Sequence, residues 1–161
     1  FYWGQIMRQR AIIFDIDGTL ADNSHRQHFI QQEPKDWQGF FDAMSEDKPI
    51  EETCFLCSSL AALLSMGVFG QYTIVFCSGR PDSHRQQTIE WINKHIFFGE
   101  HRIFMRKAGD HRPDEKVKEE LLGQMREDGL EPFMVFDDRK RVVEMWRRNG
   151  LRCLQVAPGD F

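Results

Sequence analysis

Ala11-Ile12-Ile13-Phe14-Asp15-Ile16-Asp17-Gly18-Thr19-Leu20 is the stretch on which the reading of this chain turns. Its first four residues form a short apolar run, as expected of a strand covered on both faces. The run ends in a carboxylate. An ionised Asp at the edge of an apolar core is costly unless it is paired or bound to a cation. Open α/β sheets bind ligands outside the carboxyl ends of their strands, so Asp15 stands where a site would lie. Residues two apart in a strand share a face, which lets Asp15 and Asp17 serve one site. Gly18 allows the chain to turn away at once. An Asp-Gly turn explains part of this pattern without any function. It does not explain why the pattern recurs.

Two further apolar runs end in polar groups. Thr73–Cys77 leads into Ser78-Gly79-Arg80-Pro81. A hydroxyl and free backbone N–H groups at such a turn can cradle a phosphate, and Arg80 is placed to add a two-pronged grip. Phe133–Phe136 leads into Asp137-Asp138. One Asp would suffice to cap a following helix; two are more than a cap needs. Together with Asp15 and Asp17 they offer the hard oxygen ligands that suit Mg²⁺. A cation is still required on the protein side. Asp114 and Lys118 are four apart behind Pro113 and share a helix face, with Lys107 and Lys116 as rivals. Viewed alone, that pair is a surface ion pair worth little.

The remaining pattern alternates short apolar runs with amphipathic stretches, which predicts an α/β fold around a parallel sheet. Five strands are expected: Ala11–Asp15, Thr73–Cys77, Arg102–Met105, Phe133–Phe136 and Arg152–Val156. Helices are expected over Ile50–Ser65, Ser83–His95 with Asp82 as cap, Pro113–Met125 and Arg141–Asn149. Residues 22–49 fit this scheme poorly and read as a small cap or flap inserted after the first strand, with a helix over Lys35–Met44. The 161 residues, 41% hydrophobic and 29% charged, suit one domain spanning 1–161. Cys54 and Cys57 lack the second ligand pair of a metal site and read as core. No apolar run approaches a membrane span and no signal peptide opens the chain, so a cytoplasmic setting is expected. A net charge of −4 argues against holding long duplex DNA by charge alone.

The order Asp-x-Asp-Gly-Thr, Ser, Lys, Asp-Asp resembles the haloacid-dehalogenase superfamily. Arg26, the stretch Gly109-Asp110-His111-Arg112-Pro113-Asp114 with Val117–Glu120, the segment Val142–Arg148 and the terminal Gln155–Phe161 are similar to the phosphatase domain of phage-type bifunctional polynucleotide kinase/3′-phosphatases. The resemblance runs from about Ala11 to Phe161. It implies a Rossmann-like three-layer sandwich with a central parallel sheet of about five strands, and a Mg²⁺-dependent phosphatase. By that likeness Asp15 is the nucleophile, and Asp17 is the acid and base that also lends its carbonyl to the metal. Ser78 and Lys118 bind the phosphoryl group, and Asp137 and Asp138 hold Mg²⁺. Arg26, Gly79, Arg80 and Asp114 shape the substrate site. The implied substrates are 3′-phosphorylated DNA or RNA ends, with a kinase/ligase repair partner, fused or separate. Arg26, Arg80, Arg112 and Arg139 are expected at the mouth. No Walker loop occurs, so ATP-dependent phosphorylation is not expected of this chain. The alternative is the same chemistry on a nucleotide or sugar phosphate, should Trp37, Phe40 and Phe41 fold over Asp15.

Overall fold

The computed structural model describes residues 8–97 and 99–161. In chain order the elements are β1 (Gln9–Phe14), β2 (Ala21–Asp22), α1 (His28–Gln31), α2 (Trp37–Asp42), β3 (Lys48–Pro49), α3 (Glu51–Ser65), β4 (Tyr72–Pro81), α4 (Arg85–His95), β5 (Ile103–Arg106), α5 (Asp114–Glu127), β6 (Leu130–Asp137), α6 (Lys140–Arg148) and β7 (Arg152–Gln155).

Five strands form one parallel sheet in the order β5-β4-β1-β6-β7. Period-two alternation splits its side chains between two cores. Ala11, Ile13, Val75, Cys77 and Val135 meet α5 and α6 on one face. Ile12, Phe14, Ile74, Phe76 and Phe136 meet α3 and α4 on the other. Phe14 and Phe136 are paired across β1 and β6 and stack at 4.6 Å between ring centroids. The helix after β6 thus leaves to the face opposite the helices that follow β1 and β4. The carboxyl ends of β1 and β6 flank the crevice this creates, which is where such sheets bind ligands.

The sequence boundaries hold with three physical exceptions. β6 starts three residues earlier than expected and contains Pro132, which has no N–H to give a ladder. The register slips there, with Ala11 opposite Pro132 and Ile12 opposite Met134, and such a bulge is how a sheet accommodates proline. β4 continues through Ser78 to Pro81, and its pairing with β5 breaks over the same residues. Asp82 does not cap α4. It lies in a 3₁₀ turn, Asp82–His84, and accepts a hydrogen bond from the backbone N–H of Ala108 at 2.9 Å.

Residues 22–49 form a string of short elements. β2 and β3 pair antiparallel and close the segment at its base. The helix expected over 35–44 is α2, capped by Asp36, whose side chain accepts from the Gly39 N–H. Trp37, Phe40 and Phe41 pack against one another, and Phe41 also meets His84. Cys54 and Cys57 are buried in the core, and burial pushes both thiols up, that of Cys54 to about 11. No helix among the described residues is long and apolar enough to cross a membrane.

Phe14 is fully buried at the centre of the sheet. Phe14→Ala removes its ring and the stack on Phe136, and should lower unfolding free energy by about 3–5 kcal/mol. Urea denaturation followed by circular dichroism measures this; a loss within experimental error would contradict the assigned core.

Candidate active site

Asp15 directly follows β1 and is held in line by its N–H, which donates to the Phe136 carbonyl at 3.0 Å. The chain then turns tightly. The Ile16 carbonyl accepts from the N–H groups of Thr19, Leu20 and Ala21, and Gly18 takes φ +81°, a left-handed value that glycine adopts without strain. A second constraint acts at the same residue: a Cβ on Gly18 would run into the Asp138 carboxylate. The turn thereby draws the ends of β1 and β6 together.

Asp15 is buried, and both of its oxygens are occupied. Lys118 donates to Oδ1 at 2.7 Å and the Thr19 hydroxyl to Oδ2 at 3.2 Å. Lys118, also buried on α5, reaches Asp137 Oδ2 at 3.0 Å. Asp137 Oδ2 further accepts from the Trp146 indole at 3.1 Å, and Oδ1 from the Arg139 N–H at 3.2 Å. Asp138 completes a group in which Asp15, Asp137 and Asp138 each place one carboxylate oxygen within 4.8 Å of the others. Burial, reinforced by the other two acids, drives Asp15 well above the ordinary carboxylate range despite Lys118. Burial and the neighbouring Asp137 push Asp138 up to about 6. Burial alone would neutralise Lys118, but the charges of Asp137 and Asp15 outweigh it and keep the ammonium protonated. When all three carboxylates are ionised they outnumber the one lysine by two charges in a buried space, which is why burial and mutual repulsion push Asp15 and Asp138 upward. A small divalent cation with a preference for oxygen ligands answers both the charge and the donor set.

Asp17 is held by other partners. Its carboxylate is outside that group of three and lies between two fully buried arginines: Arg26 Nη2 at 2.6 Å and Arg80 Nη2 at 2.7 Å. Burial raises its pKa, but the two guanidinium charges win and hold it below the usual value. Both arginines also bind Asp47, Arg26 through Nε at 2.7 Å and Arg80 through Nη2 at 3.0 Å. His25 adds a further contact to Asp47 at 2.8 Å. Two expectations are corrected here. Asp17 contributes no side-chain oxygen to the carboxylate cluster, because its charge is spent on the arginines. Arg26 and Arg80 are interior and committed to Asp17 and Asp47, so neither stands at the mouth and Arg80 makes no fork for a phosphate. Of the four arginines expected there, Arg112 is exposed but tied to Asp110 and Glu120, and Arg139 is partly exposed beside Asp114.

Ser78, Gly79 and Asp114 come together on the other side of Asp15. The Ser78 hydroxyl accepts from the Arg80 N–H at 3.1 Å. A Cβ on Gly79 would collide with the Asp114 carboxylate. Arg106 ties this corner together, donating to the Gly79 carbonyl at 2.8 Å and to Asp114 at 3.0 Å. The i,i+4 partner expected for Lys118 is its most distant acid: Asp114 lies at 3.8 Å, against 2.7 Å for Asp15. The rivals Lys107 and Lys116 are exposed. Sequence reasoning missed Asp47, Arg106, Thr19 and Trp146. Arg106 carried a usable signal, as a charge closing an apolar strand. Asp47 carried none.

Residues 9–161 match the family model described as the polynucleotide kinase PNKP phosphatase domain. A protein of Autographa californica nuclear polyhedrosis virus, named as a bifunctional polynucleotide kinase/RNA ligase, is 28% identical over 138 residues, covering 86% of this chain and 18% of that protein. Among solved structures, a chain in the Pnkp1/Rnl/Hen1 RNA repair complex has a TM-score of 0.74 at 26% identity, over 97% of this chain and 45% of the other. The class C acid phosphatase from Bacillus anthracis with tungstate bound shares the fold, with a TM-score of 0.62 at 15% identity over 95% of this chain and 68% of that one. This chain spans less than half the length of the first two.

The raised Asp138 pKa sets a sign for stability. In the unfolded chain the group loses its proton near 3.8; in the fold it does so near 6. Its contribution is therefore complete below the unfolded value and is lost as pH rises through the folded one. At neutral pH in EDTA, Asp138→Asn should be more stable to unfolding than the wild type by about 1–3 kcal/mol, and so melt at a higher temperature. Added Mg²⁺ should raise the melting temperature of the wild type and do much less for the variant. A variant no more stable than wild type in EDTA would contradict the repulsion.

Proposed function

The chain belongs to the polynucleotide kinase phosphatase-domain family of the haloacid-dehalogenase superfamily, and from that premise we propose that it removes the 3′-phosphate from polynucleotide ends, DNA or RNA, through an aspartyl-phosphate on Asp15. One observation carries the reading: the Asp15 carboxylate is buried and gripped by Lys118, within a group of three acids close enough to share a divalent ion. Lys118 and Thr19 orient this carboxylate away from bulk water, and a divalent ion beside it would offset the burial that favours its protonated form.

In the first step an Asp15 oxygen attacks phosphorus and the bond to the sugar oxygen breaks, with Asp17 giving that oxygen its proton. In the second, Asp17 takes a proton from water, the water oxygen attacks phosphorus, and the acyl-phosphate bond opens to release phosphate and restore Asp15. Asp17 starts ionised beside Arg26 and Arg80. A phosphate dianion arriving at the site pushes its pKa back up, which ties protonation of the acid to substrate binding. Lys118, the Ser78 hydroxyl and the backbone N–H groups of the adjoining turn take the charge on the phosphoryl oxygens. Arg26, Arg80 and Asp47 fix Asp17, while Asp114 and Arg106 brace Gly79. Asp15, Asp137 and Asp138, with the Asp17 carbonyl, would hold Mg²⁺, which would supply further positive charge to the phosphoryl group.

The names of its relatives suggest that the chain works with a kinase or ligase in nucleic acid repair. We place that work in the cytoplasm.

With Mg²⁺ present, a 3′-phosphorylated oligonucleotide should release phosphate much faster than a mononucleotide or a sugar phosphate. Asp15→Asn should lose at least about a thousandfold, and EDTA should abolish turnover. Equal or faster release from the small phosphates would move the assignment to a small-molecule phosphatase. Full activity in Asp15→Asn would remove the nucleophile.

A further inference from the structure

Charge is unevenly spread on this chain. Between Arg139 and Arg152 six side chains are basic and one is acidic, a local net of +5, whereas the whole chain carries −4 and the remainder therefore −9. The fold gathers these charges on one surface. Val142, Val143, Met145 and Trp146 turn α6 into the core, which leaves Lys140, Arg141, Glu144, Arg147 and Arg148 on its exposed face. Such a face is often no more than a solvated helix surface. Its position argues for more.

α6 begins two residues after Asp138, so its first turn stands at the catalytic crevice. From there it descends the flank of the sheet, and its last turn lies about 12 Å further on. We infer that the exposed face of α6 binds the phosphodiester backbone of the polynucleotide on the 5′ side of the terminal phosphate. The inference rests on the proposed polynucleotide activity and adds to it where the strand runs.

The acids near this face do not cancel it. Asp160 lies 3.5 Å from Lys140 and Glu119 3.3 Å from Arg148, and all four side chains of these pairs are at least a third exposed. Exposed pairs of this kind are weak and open readily to a competing anion. Arg147 leans on the Cys153 carbonyl at 3.0 Å, which leaves its charge uncompensated. Glu144 is the one acid on the face itself, and Arg141 pairs with no carboxylate among the described residues. The opposite edge of the sheet offers a contrast. A cleft of about 840 Å³ beside β5 sets four acids against four lysines and arginines, and so presents no net charge to attract a strand. A backbone of regularly spaced phosphates is the ligand that a continuous cationic face recognises without reading sequence.

The test compares a mononucleoside 3′-phosphate with a longer 3′-phosphorylated single strand, measuring kcat and KM across salt concentrations. Arg141→Ala/Arg148→Ala should raise KM on the long strand roughly five- to thirtyfold and flatten its salt dependence by about 0.7 in log–log slope for each phosphate the variant no longer neutralises. kcat and turnover of the mononucleoside phosphate should stay at wild-type values. Lys94→Ala, an exposed lysine at the end of α4, removes charge elsewhere and should change nothing. Wild-type KM and salt slope in the double variant overturn the inference while leaving the proposed activity standing. An equal loss on both substrates overturns it as a structural effect. A wild-type enzyme with no preference for the long strand sinks both the inference and the polynucleotide reading.

Discussion

The buried ammonium of Lys118 is the hinge of this structure. It lies 2.7 Å from Asp15 and 3.0 Å from Asp137, and so joins α5 to the ends of β1 and β6. Each of these charges is costly in an apolar interior when alone. They persist because each compensates another, and the compensation is incomplete: three acids face one lysine. A sheet shaped only for stability would place apolar groups here. The residual charge is what a divalent ion and a phosphoryl group can exploit, and the same arrangement makes the three acids repel one another.

A second charged group stands beside the first and has a different task. Arg26 and Arg80 each bridge Asp17 and Asp47, so two cations balance two anions. This group is closed where the Lys118 cluster is open. It pins Asp17 next to Asp15 without letting the two carboxylates share a site, giving two chemically similar side chains opposite proton affinities. Such separation of environments is what lets one acid act as nucleophile and another manage protons. Residues 22–49 matter to this arrangement because Arg26 and Asp47 come from them. The segment serves as scaffolding for Asp17, whatever else it covers.

The resemblance to known phosphatase domains and the local physics converge because they read the same three strand ends. Ser78, Asp137 and Asp138 were visible as polar groups closing apolar runs, and Asp15 was visible for the same reason. Asp47 was not, since it follows no strand and belongs to no motif; its partners are 21 and 33 residues distant in sequence. Trp146 looked like an ordinary core residue on α6, and nothing in its neighbours announced that its indole N–H binds Asp137. Arg26 and Arg80 are expected at the mouth but lie fully buried, because nothing local in the sequence tells whether an arginine turns outward or inward.

The order of strands and helices, the turn at Gly18 and the clustering of acids at strand ends follow from the sequence, since apolar periodicity and glycine placement are local properties. Which acid pairs with which cation is not local. The parallel register sets Phe14 opposite Phe136 and thereby Asp15 beside Asp137; α5 then brings Lys118 to both, 103 residues from Asp15 and 19 from Asp137 in sequence. Only that packing decides that Asp17 belongs to the arginines, that Lys118 belongs to Asp15 rather than to Asp114, and that the cations of α6 share one face.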